Sequence, residues 1–230
     1  MLINTMNPEE ITAEILEDYE LIKKSCSRLI KEYDKERMKF KIEKTALYNK
    51  SYEIKSHKKN TWLFIFQKAP ALDKYTGIDT INVGAFIYYY HLKGLRVFRL
   101  DLKNNICVYN EHLFMRYNER LNLKIEKKMD IVKSFFFTNG YSTGKDINKE
   151  GKKFHISICR DGLLLGEVQE QYNWLVFKTF ISKELKRINQ EEIEQELIVS
   201  LESEIEEAIR GGKNNQDKFL YDSDILQVIK

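Results

Sequence analysis

From Tyr109 to Arg120 the chain reads Tyr-Asn-Glu-His-Leu-Phe-Met-Arg-Tyr-Asn-Glu-Arg, which sets His112, Arg116 and Arg120 four residues apart. On a helix that spacing brings all three to one face. An imidazole is the side chain that exchanges a proton near neutral pH, and guanidinium groups hold phosphate oxygens with fixed charge and paired donors. Together they have the makings of a site for a phosphate ester. His112 would act as general acid or base, with Arg116 and Arg120 as clamps on the charge that develops at phosphorus. Asn110 suits the helix N-cap, so His112 falls in the first turn, where free N–H groups add anion binding. Tyr117 stands at the edge of the same face. The competing reading of these residues is structural: Arg116 pairs with Glu119 at i,i+3 and His112 fills a half-buried niche.

A second group lies where the last predicted strand gives way, at Lys178-Thr179-Phe180-Ile181-Ser182. Thr179 or Ser182 could donate a hydrogen bond to a phosphate oxygen and Lys178 could add charge. Strand alternation puts Lys178 and Thr179 on opposite faces, so one of them at most enters a given cleft. The ordinary alternative is Thr179 as a strand residue and Ser182 as a helix cap. His57, His91 and His155 have no acidic or cysteine neighbour at ligand spacing, and neither a metal nor a cofactor is expected. Gly162-Leu163-Leu164-Leu165-Gly166 lacks the lysine and hydroxyl ending of a phosphate loop, and no dinucleotide, nucleophile-elbow or zincin motif occurs.

These residues must be carried by a mixed scaffold. Asn7, Pro8 and Glu10 open a helix with a capping box, and Ile11, Ile15, Tyr19, Ile22, Cys26, Leu29 and Tyr33 form one apolar stripe along it. A hairpin follows, Tyr52 to His57 and Thr61 to Gln67 across Lys58-Lys59-Asn60, and Pro70 to Asn82 reads as a loop. Ala85 to His91, Leu95 to Leu100 and Ile106 to Tyr109 make an antiparallel meander. The helix with His112 comes next, then a second from about Ile125 to Thr138 that stops at Asn139-Gly140. Tyr141 to Lys153 reads as a polar, mobile loop. Strands Phe154 to Cys159, Leu163 to Val168 and Trp174 to Ile181 follow, the first two joined by Arg160-Asp161-Gly162. Ser182 caps a long helix to about Arg210, and Gly211-Gly212 ends it. The expected fold class is α+β, a mainly antiparallel sheet with long N-terminal and C-terminal helices. Its parts are a helical segment (1–47), an α+β body (48–182), a C-terminal helix (183–212) and a polar tail (213–230).

With 230 residues, 43% of them hydrophobic, the chain can bury a sizeable core. No stretch approaches the roughly 20 apolar residues of a membrane span, and the first residues have no secretory pattern, so a cytoplasmic protein without a membrane partner is expected. Three widely spaced cysteines favour reduced thiols over a disulfide framework. The net charge of +3 hides an asymmetry: from Lys183 onward seven basic residues face twelve acidic ones, so the preceding part carries the positive excess. A basic body can attract a polyanion such as RNA.

A strand, His-x3-Arg-x3-Arg on a helix, a hairpin turning at Asp161-Gly162, and a last strand ending in Lys178-Thr179-Phe180-Ile181 together resemble the small RNases and toxins of the barnase, EndoU, colicin and RelE type, over about residues 85 to 185. The resemblance implies a curved antiparallel sheet preceded by one or two helices. It also implies His112 as general acid or base, Arg116 or Arg120 on phosphate, and Thr179 as a donor; the spacing of the residues themselves adds Tyr117, Lys178 and Ser182 near the substrate. The extra hairpin before Ala85 and the two long terminal helices depart from that pattern. The expected function is metal-independent cleavage of RNA. The alternatives are a non-enzymatic module that binds protein or nucleic acid and dimerises through its terminal helices, and a DNA-associated factor of a mobile element.

Overall fold

The computed structural model describes residues 1–39, 48–68, 81–100, 105–140, 142–149 and 151–185. The chain divides into two compact units, Met1–Ile106 and a second that begins at Cys107. The described residues form three α-helices and nine strands, an α+β architecture, and the strand pairs described below are antiparallel.

The first unit is opened by α1 (Pro8–Lys39). Its start is the expected capping box: the Asn7 amide donates to Glu10 Oε2 at 2.8 Å and the Glu10 amide donates to Asn7 Oδ1 at 2.9 Å. The apolar stripe is buried at Ile11, Ile15, Ile22, Cys26, Leu29 and Tyr33, and each large side chain so enclosed stabilises the fold by about 1.5–3 kcal/mol. One member is polar. Asp18 is fully buried, and its Oδ2 accepts from Asn60 Nδ2 and from Trp62 Nε1, both at 2.8 Å. That carboxylate fastens α1 to the second of four sheet strands and the turn before it; the strands are β1 (Asn49–Lys55), β2 (Thr61–Lys68), β3 (Ile81–His91) and β4 (Gly94–Leu100), hydrogen-bonded in that order. The hairpin across Lys58-Lys59-Asn60 is as expected, with Lys55 opposite Thr61. Of the loop expected at Pro70 to Asn82, residues 70–80 lie outside the described residues, while Ile81 and Asn82 already belong to β3.

In the second unit β5 (Ile106–Asn110) leads into α2 (Glu111–Arg120) and α3 (Lys128–Asn139), then β6 (Ser142–Lys149), β7 (Lys152–Cys159), β8 (Gly162–Gln169) and β9 (Trp174–Ser182). The strand order is β5-β9-β8-β7-β6. Rings of Tyr109, Phe114, Tyr117, Phe135, Phe136, Phe177 and Phe180 meet at centroid separations of 5.1–6.4 Å and form the core between the two helices and β9.

Three expectations change here. Within the loop expected over Tyr141 to Lys153, Ser142–Lys149 is a strand paired along its whole length with β7, because cross-strand contacts supply what its polar sequence does not announce. The second helix starts at Lys128 rather than Ile125, since both side-chain groups of Asn118 hold the Ile125 backbone, accepting from its N–H at 3.1 Å and donating to its carbonyl at 3.0 Å. That helix stops at Asn139-Gly140, though Gly140 keeps a right-handed φ of −61°. Ser182 is the buried last residue of β9, followed by a 3-10 turn at Lys183–Leu185, and the long helix expected to Arg210 otherwise lies outside the described residues. Among the described residues no helix is long and apolar enough to cross a membrane.

Candidate functional site

Asn110 occupies the N-cap of α2 with an extended backbone but makes no side-chain cap bond. The N-terminal turns of α2 and α3 are tied instead by Lys128 Nζ on Glu111 Oε1 at 2.6 Å. The buried side of α2 is set by Leu113, Phe114 and Tyr117. The opposite side presents His112, exposed, and Arg116 Nε donates toward His112 Nε2 at 3.5 Å, the outer limit of a hydrogen bond. Since a guanidinium can only donate, this contact needs a lone pair on Nε2, which is the nitrogen a proton-accepting imidazole would use. Arg116 Nη1 also binds Glu119 Oε2 at 2.8 Å, the i,i+3 pair foreseen as the structural alternative. Exposed Met115 and Leu123 adjoin the pair in sequence and along the loop that follows.

Arg120, the third member of the stripe, donates from Nη1 to the Phe180 carbonyl of β9. One of its five donors therefore serves the scaffold. Tyr117 is buried, its ring edge-on to Phe135 and Phe180, and its hydroxyl reaches Asp161 Oδ2 at 3.2 Å. Burial pushes this phenol above its ordinary range, with a further push from Asp161. Asp161 is a hub. Oδ2 also accepts from Asn139 Nδ2 at 3.0 Å, and the Asp161 amide donates to Asn139 Oδ1 at 3.0 Å. The β7–β8 turn is thus locked to the last turn of α3 and to the middle of α2. Gly162 is needed there, since a Cβ would fall 2.0 Å from the Ile181 carbonyl oxygen.

The residues of β9 do not join His112 and Arg116. Leu165 pairs with Thr179 and Gly166 with Phe177, so Lys178 is an extra residue in the strand, a β-bulge. The bulge lets both Phe177 and Phe180 face the helices and turns Thr179 and Lys178 away from them, instead of setting those two on opposite faces. Lys178 pairs with Glu167 on that far side, and Ser182 is enclosed. Glu167 is held below its usual range by the Lys178 ammonium.

One constellation escaped the sequence reading. His155 Nδ1 lies 2.6 Å from Asp146 Oδ1 and His155 Nε2 lies 2.7 Å from Ser157 Oγ. Lys153 Nζ supports the other carboxylate oxygen at 3.2 Å. The order is that of a serine–histidine–carboxylate relay, but the burial runs the wrong way for a nucleophile. The Asp146 and His155 side chains are 40% and 16% exposed, whereas Ser157 is 2% exposed. A Cβ at Gly144 would sit 2.5 Å from both Nε2 and Oγ, so a glycine opposite Ser157 is what admits the relay. It fastens β6 to β7. The signal was an aspartate and a histidine nine residues apart, visible only once the hairpin between them is assumed.

Among the described residues no three His, Cys, Asp or Glu side chains gather as a metal set. No family profile, no curated protein and no solved structure matches the chain.

Proposed function

We propose that the second unit acts on RNA phosphodiesters through the exposed face of α2, with His112 as the proton-transfer group and Arg116 as the phosphate ligand. The observation that supports this reading is the meeting of a guanidinium with an imidazole Nε2 on a solvent-facing helix, over a rigid aromatic base. In the reaction His112 takes the proton of the ribose 2′-hydroxyl and the oxygen attacks phosphorus. The 5′-oxygen then leaves with the proton that His112 returns, giving a 2′,3′-cyclic phosphate and a free 5′-hydroxyl. Arg116 holds the non-bridging oxygens and stabilises the charge gained in the transition state. The incoming phosphate displaces Glu119, a surface pair whose loss costs at most about 1 kcal/mol. Arg120 fixes the tilt of α2 against β9 and keeps its remaining donors available.

A second reading, RNA binding without cleavage, draws on the position of Thr179 and Lys178, which face away from α2 and leave the cluster there with His112, Arg116 and Glu119. The test is a mixed RNA substrate incubated with the purified protein in EDTA. The cleavage reading expects cyclic-phosphate ends that His112→Ala abolishes; cleavage retained by His112→Ala refutes the assignment. Salt-sensitive binding without any cleavage selects the second reading. Glu119→Gln should tighten RNA binding by up to about fivefold, the equivalent of releasing one surface ion pair.

A further inference from the structure

In the first unit two hairpin tips lie at the same end of the sheet. Lys55 stands opposite Thr61, and Thr61 stands opposite Tyr88, so the β1–β2 turn and the β3–β4 turn are separated by one strand. With strands about 4.8 Å apart, the backbones of Lys55 and Tyr88 are about 10 Å from each other. Beyond that row the β3–β4 tip carries Tyr90 and Leu92, 57% and 86% exposed, and Lys93. Tyr88 and Tyr90 meet edge to face at 6.5 Å, and the Tyr88 hydroxyl donates to Glu53 at 2.9 Å, which steadies the pair. Of the cations at this end, Lys58 is taken up by Glu14 and Glu17. Lys55, Lys59 and Lys93 make no ion pair with a described residue, whereas Arg96 stands opposite Tyr89 and so lies on the other face of the sheet from Tyr90.

A ring face open to solvent among unneutralised cations, spread over two neighbouring turns, matches alternating bases and phosphates. A membrane surface fits less well, since one exposed aliphatic side chain makes a small apolar anchor. A duplex fits less well too, because its bases are not free to stack on a ring. We infer that this end of the first unit is a binding site for single-stranded nucleic acid, with Tyr90 as the stacking platform and Lys55, Lys59 and Lys93 as phosphate contacts. The site is separate from the one on α2 and stands whether or not His112 cleaves RNA.

The test uses the full chain carrying His112→Ala, so that no substrate is consumed, and reads the anisotropy of a fluorescein-labelled oligouridylate of about twelve nucleotides. Tyr90→Ala should weaken binding about tenfold or more, Tyr90→Phe should restore it, and Leu92→Ser should leave it within about twofold. Lys55→Glu with Lys93→Glu should flatten the salt dependence. All four positions are on the surface, so unchanged thermal melts confirm the fold. Binding unaffected by Tyr90→Ala overturns the inference. So does failure to bind the oligonucleotide together with capture by phosphatidylserine vesicles that Leu92→Ser abolishes. Loss of cleavage in the parent His112→Ala protein, with binding kept, separates this site from the proposed reaction.

Discussion

Replacing Asp161 by alanine strikes the junction on which the placement of α2 depends. The carboxylate accepts from Asn139 Nδ2 and from the Tyr117 hydroxyl, both on buried residues. Leaving a buried donor without its charged partner costs about 1.5–3 kcal/mol. The tyrosine is the cheaper of the two, because the Ser134 and Thr138 hydroxyls also reach its oxygen. Asn139 loses a bond that has no such substitute, so the total for Asp161→Ala is about 2–3 kcal/mol. For a chain of this size that corresponds to a fall in Tm of about 4–12 °C. A double-mutant cycle isolates the contact: Asp161→Ala, Asn139→Ala and the pair, each measured by urea denaturation, should give a coupling of about 1–2 kcal/mol. A coupling near zero, or an Asp161→Ala cost below about 0.5 kcal/mol, would show that the turn does not anchor the helices and would remove the basis for a fixed α2 face.

Gly162→Ala should be more damaging, about 3 kcal/mol or more by chemical denaturation, because the Ile181 carbonyl stands 2.0 Å from the new methyl and backbone has to move. Glu14 supplies an acid-side prediction. Burial alone would raise its pKa, but bonds from the N-terminal amine, Asn60 and Lys58 outweigh it and bring the group from 4.5 to about 2. The stabilisation is present above the unfolded value and lost as pH falls toward the folded one, a ceiling of about 3 kcal/mol. The stability gap between the natural protein and Glu14→Gln should therefore close between pH 4.5 and about 2 in acid unfolding curves. Burial pushes the thiols of Cys26 and Cys159 up to about 12. Ellman's reagent at pH about 8 should therefore leave both unreacted in the native protein and reach all three cysteines in guanidinium, since the thiolate is the reacting form.

The features legible in the sequence were those written locally. Asn7 and Glu10 cap each other three residues apart, and the Lys59 and Asp161-Gly162 turns sit between apolar runs, so α1 and both hairpins could be read directly. Apolar periodicity found the α1 stripe but passed over Asp18, whose burial depends on Trp62 and Asn60 more than forty residues away. The strand Ser-Thr-Gly-Lys-Asp-Ile-Asn-Lys has no apolar alternation, and its order comes from β7. Missing β6 meant missing the Asp146–His155–Ser157 relay as well. The spacing of His112, Arg116 and Arg120 predicted one helix face, and two of the three do meet there. Arg120 is drawn to a β9 carbonyl, and a bulge at Lys178, which no pattern of residue types announces, carries Thr179 to the other side.

The strand order of the second unit ends at β6, so among the described residues one rim of its ribbon of strands has no neighbour. A bare rim is an invitation for stray polypeptide to zip on, and the usual deterrent is charge. Here any newcomer would have to strip water from Asp146 at the middle of the rim, a carboxylate already engaged by His155 and Lys153. The same polarity that hid this strand from a reading of its residues thus works as a guard against fibril-like stacking at high concentration.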